Sequence, residues 1–283
     1  MSDEEFERRK SLSFLQAQGI EPLPRMLSGA EVTPQFRANA YGLIIVNIGF
    51  VYSGHRHGRI PSNATVLVWK DYFGLYPDSI SSELGFKEFV KKKISSGPHL
   101  LDLLQFLCRK KILSKDDFNE IQRLLATELI GFRFVGSYDD GDVTLLPIVD
   151  EAEADANQSD YAELQNHPNA RKHFLQAVEH LKGAHYRGSV TESICGVEST
   201  IKSLSGKSTV TFGEGLKRLD KSNPLHSTLK AGLEKIYGWT NSPSGMRHAM
   251  SDEAQEVTEA EARFMLSACL AFAAWLKRSH TEG

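Results

Sequence analysis

Arg247 and His248 stand side by side after Asn241-Ser242-Pro243-Ser244-Gly245, a run whose Pro, Gly, Ser and Asn content marks a loop. Their types suit chemistry at a phosphate. An imidazole moves protons near neutral pH, and a guanidinium fork stabilises the charge that builds on phosphoryl oxygens. Their spacing works against them. Neighbouring side chains on a helix diverge by about 100°, so the two converge only in an extended or turn conformation, or when a second chain supplies one member. A structural role is equally open: Arg247 paired with Glu192 or Glu198 across a helical bundle, and His248 capping carbonyls or packing on Tyr237 or Trp239. Arg187 and Glu192 form the next candidate pair, as phosphate or nucleic-acid contacts. Arg187 falls in the first turn of its helix, where the dipole disfavours a cation, so a specific partner such as a phosphate or Glu198 is favoured. Glu192 lies opposite the apolar stripe of the same helix, exposed or turned toward the first half of the chain.

Other constellations carry less. His55-Arg56-His57 offers two imidazoles with no third ligand nearby, and reads as a surface loop. Lys91-Lys92-Lys93 is a small solvated basic face. Gly213-Glu214-Gly215 lacks the strand before it that a phosphate loop needs. No GxSxG, HExxH or Walker pattern occurs, so ordinary hydrolase and NTPase mechanisms have no local support, and no metal or cofactor is implied. Cys108, Cys195 and Cys269 are odd in number and each lies within or beside a helical apolar face. They read as buried thiols of a reducing compartment. With an acidic start and no apolar run long enough for a bilayer, the chain is expected to be cytoplasmic and not membrane-bound.

The elements that must position these residues are mainly helical. A length of 283 residues admits two ordinary domains, and the net charge of -3 conceals an asymmetry between them. Residues 1–169 hold 18 Lys/Arg against 24 Asp/Glu, whereas 170–283 hold 15 against 12 and six of the ten histidines. Mild basicity in the second part is compatible with a polyanionic partner. Thr33-Pro34 starts a helix, and the Ile/Val/Leu-rich run from Phe36 to Tyr52 continues as a buried helix or a strand. Val66 to Trp69 fits a short strand or a helix start. Leu100, Leu103, Leu104 and Leu107 define one helix, and Ser114 caps a second with Phe118, Ile121, Leu124, Leu125 and Leu129 at helical spacing. From Phe132 the period changes to two, and the turn Asp139-Asp140-Gly141 makes a β-hairpin with Val143 to Val149. Two helices and a hairpin suggest a winged unit, but three aspartates in its turn would repel phosphates.

An acidic helix or linker over 151–168 leads to Pro168, which opens a helix with Phe174, Leu175, Val178 and Leu181 inward. Val190, Ile194, Val197, Ile201 and Leu204 form the apolar stripe of the next helix, and Gly206 stops it. A third helical segment is broken at Asn223-Pro224. The capping box Thr258-Glu259-Ala260-Glu261 starts the last helix, which is apolar nearly all round and is expected to be the most buried. The organisation is therefore an α-rich domain with a β-hairpin over 1–150, the connector 151–168, and an antiparallel helical bundle over 169–283.

Four stretches carry a resemblance: Tyr186 to Ser199, Ile236-Tyr237-Gly238-Trp239-Thr240, Gly245-Met246-Arg247-His248-Ala249 and Glu261 to Leu266. In this order and spacing they resemble the HEPN-like C-terminal domain of bacterial abortive-infection proteins of the AbiJ type. Thinner matches to the accompanying domain are Phe6-Glu7-Arg8-Arg9, Glu21-Pro22-Leu23-Pro24, Gly131 to Phe134 and Leu146-Pro147-Ile148. The resemblance implies a role in antiviral defence, directed at RNA, with a homodimer formed through the bundle. Its strongest form is a metal-independent ribonuclease in which Arg247 holds the phosphate and His248 is the acid/base group. The rival is a non-catalytic module that binds nucleic acid or protein. Family ribonucleases carry a His four to six residues after an Arg, and here Arg171/His173, Arg218/His226 and Arg247/His248 all miss that spacing.

Overall fold

Hydroxyl caps set where the helices begin. In the computed structural model, which describes residues 26–27, 30–52, 59–80, 82–148, 151–241 and 256–281, Thr33 accepts the amide of Phe36 and Pro34 opens α1 (Pro34–Asn47). Gly49 ends the helical run, and the β-prone Phe50-Val51-Tyr52 becomes β1, paired antiparallel with β2 (Arg59–Pro61). Val66 to Trp69 is helical: Ser62 caps α2 (Asn63–Leu67), which widens into a π turn over Val68–Tyr72. That turn places the Trp69 indole N–H on Ser79 Oγ at 2.9 Å. Serines 82, 96 and 114 then cap α3 (Glu83–Lys93), α4 (Gly97–Arg109) and α5 (Lys115–Thr127).

The hairpin β3 (Phe132–Val135) and β4 (Thr144–Pro147) pairs Phe134 with Leu145 and Arg133 with Leu146. Opposed residues of an antiparallel pair share a face. One face sends Phe134 and Leu145 into a core built on α1 to α5. The other sends Val135 and Leu146 into a second core with the helices that follow. The alternation that separates Arg133 from its phenylalanine neighbours therefore turns it into a second interior. There it is 6% exposed, donates to the carbonyls of Ile130 and Phe132, and is pushed down to about 10 by burial, opposed by Asp155.

The second core comprises α6 (Glu151–Glu163), α7 (Pro168–Lys182), α8 (Tyr186–Leu204), α9 (Phe212–Ser222), α10 (Ser227–Asn241) and α11 (Glu259–Thr281). The acidic α6 buries Ala154, Tyr161 and, just beyond it, Leu164 against this core. The described chain is thus mainly α, with two short hairpins. The expectation that the last helix is the most enclosed is corrected. α8 touches α7, α9, α10 and α11, whereas α11 leaves Phe264 62% exposed. Small residues explain the difference. A Cβ on Gly196 would lie 2.6 Å from Phe174 Cζ, so only glycine lets α7 approach α8 this closely. The hydroxyls of Ser193 and Thr200 are buried at no polar cost because they donate to the carbonyls of Ser189 and Gly196 one turn back. Cys108 and Cys269 are buried thiols, each pushed up to about 12 by desolvation.

Candidate functional site

Where α7 begins, a cleft of about 500 Å³ opens between the first residues of that helix and the C-terminal part of α8. His167 is the residue before Pro168 and its side chain makes no capping bond, so the first-turn amides of Asn169 and Ala170 border the cleft. His167 Nδ1 instead lies 2.9 Å from Ser203 Oγ. Burial pushes the His167 imidazole below its ordinary pKa, and the nearby Lys277 ammonium of α11 pushes it in the same direction. It is therefore neutral near pH 7. A turn and a half along α7, His173 lines the same cleft, and its Nδ1 meets Glu192 Oε2 of α8 at 2.7 Å. A carboxylate on Nδ1 orients the ring and leaves Nε2 for a ligand. Lys202 and Lys207 bring positive charge to the rim, and Ser199, Ser203 and Ser208 bring hydroxyls. Two imidazoles, one oriented by a carboxylate and one neutral, beside ammonium groups can move protons at an anionic ester.

The cleft continues past Lys207. A second depression, about 400 Å³, shares that residue and is walled by Lys217, Arg218 and Lys221 of α9. Among the described residues, Lys202, Lys207, Lys217, Arg218 and Lys221 make no ion pair. The carboxylate at its edge, Glu214, is engaged in a capping box with Thr211 and held below its usual range first by that backbone bond and then by the Thr211 hydroxyl.

The other flank of α7 differs. Arg171, 11% exposed, donates to Asp140 at 3.0 Å and Asp142 at 2.6 Å in the β3–β4 turn, and stacks over Tyr161 with 4.9 Å to the ring centroid. Glu179 meets Arg109 of α4 at 2.5 Å and Lys182 at 2.9 Å, and accepts from Thr144 of β4. Burial opposes its charge, yet these hydrogen bonds hold Glu179 at about 2.

Compared with family models, curated proteins and solved structures, the chain matches none. What it can do must be read from its own residues.

Arg247 and His248 lie outside the described residues, as does His55-Arg56-His57 and the matches before residue 26. Glu192 does not itself line the cleft and is not an exposed carboxylate; it reaches the cleft through its bond to His173. It is half-buried because α7 covers that side of α8, and it works through His173. Arg187, five residues earlier on α8, is about 140° away around the helix and is not among the residues lining the cleft. Neither His167 nor His173 is singled out by the sequence. The available signal was composition, since six of ten histidines, His173 among them, fall in 170–283, but His167 lies outside that count, and the partners Ser203 and Glu192 sit on another helix at 36 and 19 residues' separation. Among the described residues no cluster of potential metal ligands occurs, and no helix is long and apolar enough to cross a membrane.

Proposed function

We propose that this chain acts on RNA in antiviral defence, as its resemblance to abortive-infection proteins of the AbiJ type implies, and that the cleft at the start of α7 is its phosphodiester site. The observation that carries this reading is the meeting of His167 and the His173–Glu192 dyad in one basic cleft. His167, neutral near pH 7, takes the proton of a ribose 2′-hydroxyl as that oxygen bonds to phosphorus. His173, with Glu192 balancing a charged ring, gives a proton to the departing 5′-oxygen as the P–O bond breaks. The products are a 2′,3′-cyclic phosphate and a 5′-hydroxyl. No metal enters these steps. Arg247 is kept as the residue that holds the phosphate, and His248 as a competing acid/base group.

Incubation of the purified chain with total and transfer RNA in excess EDTA tests the proposal. Cleavage lost in His173→Ala and weakened in Glu192→Gln, with circular dichroism unchanged, supports the cleft. Loss in Arg247→Ala and His248→Ala alone moves the chemistry to those residues. No cleavage at any protein concentration or phage trigger overturns the enzyme.

A second reading, a bundle that docks a second copy without chemistry, is favoured by Phe264 on α11 and Leu229 on α10, large apolar side chains that are 62% and 48% exposed. Light scattering of wild type and Phe264→Glu measures it: a dimer that the substitution dissociates supports this surface.

A further inference from the structure

The two depressions that meet at Lys207 form one trough. Lys202 stands near the histidines, Lys207 at the junction, and Lys217, Arg218 and Lys221 along α9. Lys217 and Lys221 are four residues apart, so they share a helix face and repel one another in the absence of a ligand. Glu214 is the one carboxylate lining either depression, and its charge acts on Arg218 and Lys217 from within its capping box. Against five cations it leaves a net positive trough, which is the arrangement expected where a counterion comes from outside. The lining chemistry narrows what that counterion is. Lys207 and its neighbours alternate with the hydroxyls of Ser203, Ser208 and Thr209, all donors suited to phosphate oxygens. Apart from the imidazoles of His167 and His173, neither depression is lined by an aromatic ring on which a base could stack. Their sizes, about 500 and 400 Å³, are those of sites for small molecules and admit a sugar-phosphate unit at a time.

We infer that this trough binds the phosphate backbone of a single-stranded nucleic acid, held over five successive contacts without regard to base sequence, and feeds it to the histidine cleft. The feeding rests on the function proposed above; the binding does not. Because affinity comes from phosphate neutralisation, it is salt-dependent in a predictable way. For a single strand the logarithm of the association constant falls with the logarithm of salt concentration with a slope of about -0.7 per phosphate contacted, so five contacts give about -3.5.

The experiment uses the full chain and a fluorescein-labelled 2′-O-methyl oligouridylate of about 20 residues, which lacks the attacking hydroxyl and survives any ribonuclease. Anisotropy is followed from roughly 50 to 300 mM salt. Wild type is expected to give the slope above. Lys217→Ala/Lys221→Ala is expected to lower it to about -2 and to weaken binding roughly 25-fold at about 100 mM salt, since each lost contact is worth about fivefold there. Lys92→Ala/Lys93→Ala, a basic pair on α3, serves as the control and is expected to change nothing. An oligodeoxyuridylate tests whether the trough separates RNA from DNA, and equal binding supports backbone recognition. An unchanged slope in the α9 double variant, an equal loss in the control, or a duplex bound as tightly as the single strand overturns the inference. Binding through the trough with no RNA cleaved defeats the proposed ribonuclease and leaves the trough standing. Cleavage indifferent to Lys217 and Lys221 does the reverse.

Discussion

The two flanks of α7 are built from similar residue types and have opposite electrostatic outcomes. Toward the β3–β4 turn, Arg171 meets Asp140 and Asp142, and Glu179 gathers Arg109 and Lys182. Charge is spent there on holding α4, the hairpin and α7 together. Toward α9, Lys202, Lys207, Lys217, Arg218 and Lys221 make no ion pair among the described residues, with Glu214 the one carboxylate nearby, acting on Lys217 and Arg218, and His167 stays neutral. A cation matched within the fold stabilises it, whereas an unmatched one is available to a ligand and contributes little to folding. The same residue type should therefore give different phenotypes on the two sides.

The largest expected effect is on the matched flank. Arg171→Ala removes a guanidinium that is 11% exposed and leaves the half-buried Asp142 with only the Ser137 amide and the Tyr161 hydroxyl as donors, which should destabilise the fold by about 2 to 3 kcal/mol. A urea midpoint shifted by less than a third of that would mean that water already screens the pair. Gly196→Ala probes the packing beneath both flanks. Helix propensity gains up to about 1 kcal/mol, but the Phe174 ring, 1% exposed, has nowhere to move. The net effect should be a loss of about 1 to 2 kcal/mol, read from the same denaturation curve.

A smaller effect separates the flanks by pH. Glu179 is held at about 2 in the fold, below its ordinary 4.5. Stability from that depression is complete above pH 4.5 and is lost as pH falls toward 2; Glu179→Gln should flatten this part of the profile without touching oligonucleotide affinity. On the open flank the sign reverses. Burial and then Lys277 hold the His167 imidazole below its ordinary pKa, so it gains a proton only on acidification. An anionic ligand favours that proton, so oligonucleotide binding should strengthen as pH falls in wild type and less in His167→Gln. The groups facing that imidazole are Ser203, Lys202, Lys207, His173 with Glu192, and Lys277. The smallest expected change is in Lys207→Ala. Its stability should stay within about 0.5 kcal/mol of wild type while its oligonucleotide affinity falls, and thermal melting beside anisotropy checks both.

Much of this architecture was legible in the residues. Of the stripe, Val190, Ile194, Val197 and Ile201 are fully buried and Leu204 is partly so, Ser114 and Thr258 cap their helices, Pro168 opens α7, and the period-two run at Phe132 is a hairpin. Periodicity and caps are local, and a single segment carries them whole. The enclosure of α8 rather than α11 was not legible, because Gly196 and Ser193 look polar or neutral in a hydropathy pattern while the packing uses their size. The cleft was less legible still. Helical periodicity puts Glu192 opposite the apolar stripe, exposed or toward the first half of the chain, whereas the crossing of two helices half-buries it against His173 of α7. Arg171 and His173 were weighed only against one another, at a spacing that fits no shared site. Their actual partners, Asp142 and Glu192, lie on different elements on opposite flanks of α7.

The hairpin with a core on each face bears on the ancestry of the chain. Phe134 and Leu145 belong to one interior, Val135 and Leu146 to the other. A gene boundary placed after the hairpin would leave the second half with a bare apolar wall, and one placed before it would do the same to the first. Recombination could not have joined two finished proteins at this seam without rewriting one strand face. Split at residue 150, the halves would be expected to be insoluble when made separately and to reassemble when made together. The two halves should accordingly have diverged as a single inherited unit.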